Sequence, residues 1–467
     1  MLRKVLIPLL LLSLILSGCR TFYQRQQEFN QYFRTGQIQE AADVLERDRR
    51  GSKRRTRLLH LMNLGVVHHM LGNHTRSNEL FEEAFILSED QLRNPLDEAL
   101  ALVSNPNMTE YRGEEFELLM IHYYKAMNFI QLGNFEAALV ECRRLNNRLN
   151  ALADRFPSDN RYRRDAFIHN LMGIIYEAAG DHNNAFIAYR NAYNIYKDDF
   201  SRLFGLGPPR QLKIDLLRNA HRMGFRDQVE FFEREFGFSF QDEARQGYGD
   251  MVFFLQNGLG PVKAEWSINF TIVRGAGGRV DFVNEELGLS FPFYLGSSGQ
   301  TTGDLGDLRI VRVAFPKFVE RPPVFTGARL RTHGRQVQLE KAQDINAIAF
   351  RSLEDRMLRE MGNALLRLAI RQATEQVVRR ENQNVGAVLG ILGAVAERAD
   401  TRNWQTLPHS IHYTRISLPE GNHNLALEML LPNNHTGRTV NLETQIRAGR
   451  TSFINYHVLD SRQPGAR

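Results

Sequence analysis

Cysteine, tryptophan and recognisable catalytic motifs are what this sequence has least of. Of 467 residues, two are Cys and two are Trp. With cysteine at positions 19 and 142 only, disulfides cannot organise the fold. H-E-x-x-H, G-x-S-x-G, a paired Cys-x-x-Cys and S-x-x-K with its companion motifs are all missing. Their absence removes the usual marks of metalloprotease, serine-hydrolase and thiol-redox chemistry. Gly51-Ser52-Lys53 lacks the upstream glycine and flanking strand of a phosphate-binding loop. His60, His68, His69 and His74 cluster, but no acidic partner orients them as metal ligands. The expectation is a protein with no enzymatic activity, no cofactor and no metal. A net charge of +6 allows attraction to anionic surfaces. No nucleic-acid-binding module occurs, so nucleic acid is not an expected partner.

A long apolar run is also scarce. The clearest, residues 5–16, is too short to span a bilayer, which needs about 20 apolar residues. It follows Arg3 and Lys4 and ends in Leu16-Ser17-Gly18-Cys19. Two early cations and a short apolar stretch form a secretory signal. An apolar residue, two small residues and a cysteine resemble the lipobox of bacterial lipoproteins. The resemblance implies a signal peptide over 1–18 and a mature chain lipidated at Cys19. Arg20 in place of aspartate implies, by enterobacterial sorting rules, the outer membrane facing the periplasm. Cys142 is then left without a disulfide partner and is expected to be buried.

What the sequence does have is self-similarity. Leu64-Gly65, His68, Gly72-Asn73, Ser77, Phe81 and Ala84 share offsets with Met172-Gly173, Tyr176, Gly180-Asp181, Ala185, Tyr189 and Ala192. Residues 30–48 hold a similar half with Gly36, Ala41 and Leu45. Residues 119–146 hold another copy with Ala126, Gly133-Asn134, Ala138, Cys142 and Leu145. A degraded copy surrounds Gly224-Phe225. The offsets resemble the tetratricopeptide repeat, a helix–turn–helix unit whose neighbours stack into a solenoid. The inserts at 90–114 and 148–164 break its period of about 34 residues. The basic run Arg47–Arg57 includes Arg49, Arg50, Lys53, Arg54 and Arg55. It reads as a solvated linker or as a contact for anionic lipid, glycan or protein.

At Gln246 the texture changes. The expected organisation is a signal peptide (1–18), a tetratricopeptide-like helical domain (19–245) and an α+β domain with β-sandwich-like strands (246–467). Strands are expected at 251–255, 262–273, 310–318, 324–331, 410–416, 425–430, 440–446 and 451–458. Residues 286–308 read as a Gly-, Ser- and Thr-rich loop, in which Gly303–Asp307 is a weak carboxylate pair. From 339 to 380 the apolar period is helical. Residues 384–395 carry Gly386-x-x-x-Gly390, a small-residue pattern suited to close helix packing, or a buried hairpin. Arg450 stands at a turn where it could clamp an anion.

The lipobox, the repeats, the VFFLQNGLGPVK strand-turn and the ADTRNWQTLP and LPEGNH segments occur together. In this combination the chain resembles a poorly characterised bacterial family of tetratricopeptide-repeat-containing outer-membrane lipoproteins. The resemblance implies an α-solenoid followed by a β-rich domain with a long amphipathic helix. It assigns no catalytic residues. Relatives tend to be encoded beside lipoproteins that activate penicillin-binding proteins, which implies a role in peptidoglycan or envelope assembly. Asp400, Arg402 and Trp404 stand in the matched motif, as a loop-fixing ion pair or a ligand contact. The expected function is a scaffold that grips envelope proteins through its repeats. The alternatives are a glycan-binding C-terminal module or a subunit of an oligomeric membrane-associated complex.

Overall fold

A computed structural model of the chain describes residues 26–49, 51–92, 109–155, 164–241, 246–274, 279–294, 310–332, 334–381 and 399–464. Cys19, Arg50, Gly303–Asp307 and Gly386–Val395 lie outside them.

The helices form hairpins about a repeated turn. They pair as α1 (Gln27–Arg34) with α2 (Ile38–Arg47), and α3 (Arg57–Met70) with α4 (His74–Leu92). Next come α5 (Glu115–Gln131) with α6 (Phe135–Arg155), and α7 (Ala166–Ala178) with α8 (His182–Ile195). The last pair is α9 (Arg210–Arg222) with α10 (Arg226–Phe236). Each turn holds one glycine at positive φ: Gly36, Gly72, Gly133, Gly180 and Gly224, at 78°, 79°, 72°, 82° and 69°. Only glycine adopts this conformation without steric cost. Asn73, Asn134 and Asp181 follow the glycine in three of these turns, and Gln37 and Phe225 in the other two. Asn134 Oδ1 accepts the Ala137 N–H at 3.0 Å, and Asp181 Oδ1 accepts the Asn184 N–H at 3.1 Å.

Hairpin packing follows a size rule. A Cβ on Gly65 would lie 2.6 Å from the Phe81 ring, and one on Gly173 would lie 2.5 Å from the Tyr189 ring. The aromatic sits sixteen residues after the glycine in both. In the third hairpin the same two positions are Ala126 and Cys142, both buried. The thiol fills the smaller gap an alanine leaves, and burial pushes its pKa up.

Strands begin where the helices stop. A seven-stranded sheet has the order β10 (Thr436–Ile446), β9 (Gly421–Leu430), β6 (Gly327–Thr332), β7 (Arg335–Asp344), β8 (Ser410–Pro419), β1 (Tyr248–Asn257), β11 (Thr451–Val458). Only β1 and β11 pair in parallel among these neighbours. A second sheet has the order β4 (Leu289–Tyr294), β3 (Arg279–Asn284), β2 (Val262–Arg274), β5 (Ile310–Val319), and α11 (Ile345–Glu381) lies across it.

The run Met251–Leu255 is apolar throughout because both faces of β1 are covered. Val252 and Phe254 join the solenoid core, while Met251, Phe253 and Leu255 join a core between strands of the large sheet. That inner core also takes Leu330, Leu427, Met429 and Ile446 from the far strands. The large sheet therefore curls about its own core. The second sheet packs on α11 with Phe270, Phe282, Phe315 and Leu365. These are two separate sheet cores, not the facing layers of a β-sandwich.

Two further expectations change. Residues 339–344 belong to β7, and the long helix starts at Ile345. A bulge between Lys341 and Gln343 breaks the strand alternation there, so the period imitates a helix. Within the expected loop 286–308, Leu289–Tyr294 is strand β4. It is an edge strand, the position in a sheet where a proline such as Pro292 is tolerated.

Candidate functional site

A tetratricopeptide-like solenoid offers its inner face, formed by the first helix of each hairpin, to ligands. Here most of that face is already covered by the chain's own sheet and by the segment 399–409. One core runs through both halves, from Phe81 and Tyr124 in the hairpins to Phe254, Trp404 and Tyr413. Several polar side chains on the first helices meet partners across the seam.

At α5, Glu117 accepts the Trp404 N–H at 2.7 Å and also takes the Tyr111 hydroxyl. Glu114 pairs with Lys263 and Arg356. Burial, then the nearby Glu114 charge, pushes the Glu117 pKa up to about 7. Burial opposes ionisation of Glu114 as well, but Arg356 and Lys263 outweigh it and hold its pKa low.

Further along, His69 donates from Nδ1 to Asn128 Oδ1 at 2.6 Å and accepts at Nε2 from Asn455 of β11 at 2.7 Å. Asn128 also donates to Ser77 at 2.9 Å, and Tyr124 donates to Gln256 of β1 at 3.0 Å. Burial pushes the His69 pKa down to about 4, so both ring nitrogens are fixed in the neutral form. Among the described residues no group of three or more His, Cys, Asp or Glu could hold a metal ion.

The seam continues through α7 to α9. Gln343 donates to Asp165 at 2.7 Å, and Tyr196 donates to the Ala342 carbonyl at 2.6 Å. Glu340 of β7 accepts the Arg210 and Gln211 N–H groups at 2.9 and 2.8 Å, capping α9 from across the seam.

The matched motifs meet at this seam. Arg402 is clamped by Asp400 at 2.7 Å and donates to the carbonyls of Arg55 and Thr109, both at 2.9 Å. Trp404 is buried against Phe81 and Tyr124. Asn403 bridges the Lys263 N–H and the Pro261 carbonyl at 3.1 and 2.9 Å. Asp400, Arg402 and Trp404 thus bond the chain to itself. The basic linker reaches the same place through the Arg55 carbonyl, while the side chains of Arg49, Lys53, Arg54 and Arg55 stay exposed. Arg54 pairs with Glu110.

Two surfaces remain open. The first is a cleft of about 740 Å³ at the end of the groove. It lies between the end of α7, α9, the starts of β1 and β7, the end of β8 and the turn 449–451. Its floor is a buried ion cluster. Arg415 contacts Glu177 at 2.8 Å, Asp250 at 3.2 Å and Asp215 at 3.3 Å. Arg218 contacts Glu177 at 3.1 Å and also pairs with Asp215. Tyr189 donates to Glu177 at 2.9 Å. Burial alone would raise the Glu177 pKa, but Arg218, Arg415 and Arg222 hold it low. Arg210, Arg335 and Arg450 add charge at the mouth.

The second open surface is on the outer helices. Val140 of α6, Ile187 of α8 and Phe231 of α10 are exposed by 36%, 38% and 50%. Each stands seven residues after its turn glycine. Three residues further on, each helix carries an arginine: Arg143, Arg190 and Arg234. Residues three apart share a helix face, so the three hairpins present one apolar–arginine ladder. In the first two hairpins the same positions are Asp43 and Glu46, and Glu79 and Glu82.

Of these surfaces the sequence reading named only Arg450, which lies at the mouth of the cleft. Glu177 in an apolar helix and Arg415 inside an alternating strand were the available signals for the cleft. The ladder was present in the repeat register itself.

No protein-family model matches the chain, and no curated protein matches it. Solved structures similar to it include MamA, at 14% identity and a TM-score of 0.29, covering 45% of this chain and 86% of that one. A Podosopora anserina putative kinesin light chain with nearly identical TPR-like repeats has 16% identity and a TM-score of 0.31, covering 45% and 92%. BtubC (BKLC) from P. vanneervenii has 18% identity and a TM-score of 0.29, covering 48% and 80%. Likeness at this level carries no weight for function, and the repeat architecture rests on the register of this chain's own residues.

Proposed function

We propose that the chain is a non-enzymatic scaffold, lipid-anchored at Cys19 in the bacterial outer membrane and facing the periplasm. It binds other envelope proteins in peptidoglycan or envelope assembly. The observation that carries the scaffold reading is the outer ladder of Val140, Ile187 and Phe231 with Arg143, Arg190 and Arg234. Apolar residues exposed in register over three hairpins are unfavourable in water unless a partner covers them. The arginines select a partner whose facing surface is acidic. The inner groove is not the docking face, because the sheet fills most of it.

The anchor and the docking face are tested separately. Photo-crosslinking groups at positions 140, 187 and 231 in living cells should yield one shared adduct. The same group at exposed Arg331, on the sheet, should not. Distinct or absent adducts at the three ladder positions would remove the scaffold reading. Cys19→Ser should move the protein from the membrane fraction to the soluble periplasm. Retention on membranes would remove the anchor. Among the described residues no helix is long and apolar enough to cross a membrane.

A further inference from the structure

Three histidines from separate elements meet where the second and third hairpins face the large sheet. His69 stands in the last turn of α3, His74 opens α4, and His457 belongs to β11. Between centroids, the His69 ring lies 5.6 Å from His74 and 5.3 Å from His457. One relay of hydrogen bonds holds them. Asn128 Oδ1 of α5 accepts from Nδ1 of His69 at 2.6 Å and from Nδ1 of His74 at 3.1 Å. Asn455 Nδ2 donates to His69 Nε2 at 2.7 Å and stands 3.4 Å from His457 Nε2. Gln256 Nε2 of β1 donates to Asn455 Oδ1 at 3.3 Å, and the Tyr124 hydroxyl donates to Gln256 Oε1 at 3.0 Å.

This relay suits neutral imidazoles and has no place for a further proton at His69. A proton on His69 Nε2 would point at the Asn455 N–H groups. Turning Asn455 and Gln256 over to receive it would set a Gln256 N–H against the Tyr124 hydroxyl, whose own proton would then lose Gln256 as its acceptor. β11 is the strand this would strike. It is a sheet edge with one ladder neighbour, β1. Phe453 of β11 rests on Phe135 of α6 at 5.8 Å, and Asn455 and His457 both meet His69.

We propose that the cluster is an acid-sensitive latch: protons taken up on His69 and His457 part β11 from the solenoid and bare the inner faces of α3 and α5. The neighbours set the direction of the response. Beside His69, α3 carries His68, which is turned to Glu46. The other elements supply His74, Tyr124, Asn128, Phe135 and Gln256. Burial holds the Tyr124 hydroxyl protonated. Among the described residues, Asn128 and His74 act on His69, and His69 acts on His457, with no carboxylate to offset an added charge.

Burial pushes the His69 pKa down to about 4 and that of His457 well below the ordinary 6.5. Each therefore contributes stability that is present above pH 6.5 and is lost as pH falls towards the folded value. The opening constant of the latch rises by up to about tenfold per pH unit for each histidine. Glu117 titrates in the opposite sense, but it lies in the first turn of α5 against Trp404, so a local readout separates the two. The inference goes beyond the scaffold reading and does not depend on it, because no residue of the outer ladder belongs to the relay.

The test is hydrogen exchange on the full chain in detergent at pH 6.5, 5.5 and 4.5, corrected for the intrinsic rate. Protection of Thr451–Val458 should fall at least about a hundredfold from pH 6.5 to 4.5. Protection of β6, which carries no histidine, should hold. Constant protection in β11 would overturn the latch, and so would an equal loss in β6, which marks global unfolding. His69→Gln keeps a donor and an acceptor but takes no proton, and should shrink the loss in β11 at least about tenfold. His457→Gln should shrink it as well, and it decides the matter if His69→Gln does not fold at pH 7. An undiminished loss in either folded variant would overturn the latch.

Discussion

The two faces of the solenoid invert the usual distribution of residues. The inner face buries Glu117, Asn128, Asp165, Glu177 and Asp215, while the outer face exposes Val140, Ile187 and Phe231. A buried carboxylate is tolerated only when its partners are in place, and each inner one has them from elsewhere in the chain. The outer apolar residues have no such cover within the described chain. One face has therefore been closed by an internal partner and the other left for an external one. The same repeat register that carries an inner ligand face in a free solenoid here carries an internal seam.

The largest way to break this contrast is at the ion cluster. Arg415→Ala would leave Glu177, Asp215 and Asp250 facing only Arg218 and Arg222. Removing one member of a buried ion cluster costs about 3–5 kcal/mol. Urea unfolding should report a loss of that size. A loss below about 1 kcal/mol would mean the cluster is hydrated and the seam loose.

A smaller loss tests the hairpins rather than the seam. Gly173→Ala places a methyl group 2.5 Å from the Tyr189 ring. Overpacking of this kind costs about 1–3 kcal/mol. Gly173→Ala with Tyr189→Leu should recover part of it, since the ring is the obstruction. However, Tyr189 also donates to Glu177, so recovery should be incomplete.

The seam also carries a pH signature. Burial and the Glu114 charge raise the Glu117 pKa to about 7 from its ordinary value of 4.5. Between those values the folded chain holds a proton that the unfolded chain has released. Stability should thus fall as pH rises through that window, by at most about 1.4 kcal/mol per pH unit. Glu114, Glu177 and Asp250 have lowered pKa values. Their contribution is present above the ordinary carboxylate range and is lost as pH falls through their folded values. Glu117→Gln should flatten the fall between pH 4.5 and 7 and leave the acid limb unchanged. An unaltered slope in that variant would assign the window to other groups.

How much of this was legible in the sequence depends on whether the cause was local. Gly72-Asn73, Gly133-Asn134 and Gly180-Asp181 are local signals, and all three turns lie where the glycines put them. The burial of Cys142 followed from its register opposite Ala126. The strand β7 did not show, because a bulge imposed by pairing with β8 is a tertiary event. Nor could the sequence reveal that the sheet fills the groove. Contacts such as His69 to Asn455 span 386 residues, and no periodicity encodes them. Arg402 was visible as a candidate, but its acceptors are carbonyls of Arg55 and Thr109. Backbone acceptors leave no residue-type signature, so an anchoring role and a ligand contact look alike in sequence.

The smallest expected effect sharpens the contrast most. Ile187 is 38% exposed on α8, directly after buried Phe186. Ile187→Glu should change stability by no more than about 0.5 kcal/mol, as surface substitutions do. If the outer face exists for a partner, the same change should abolish the shared adduct at positions 140 and 231. A carboxylate there would oppose the acidic surface that Arg143, Arg190 and Arg234 select, and would also remove the central apolar contact. Phe186→Glu, one residue away, should unfold the hairpin, because that ring packs on Phe225 at 5.3 Å between centroids. Neighbouring positions would then separate cleanly into one that holds the fold and one that holds the partner. A large stability loss from Ile187→Glu would show that the outer ladder belongs to the core, and the two faces would no longer differ.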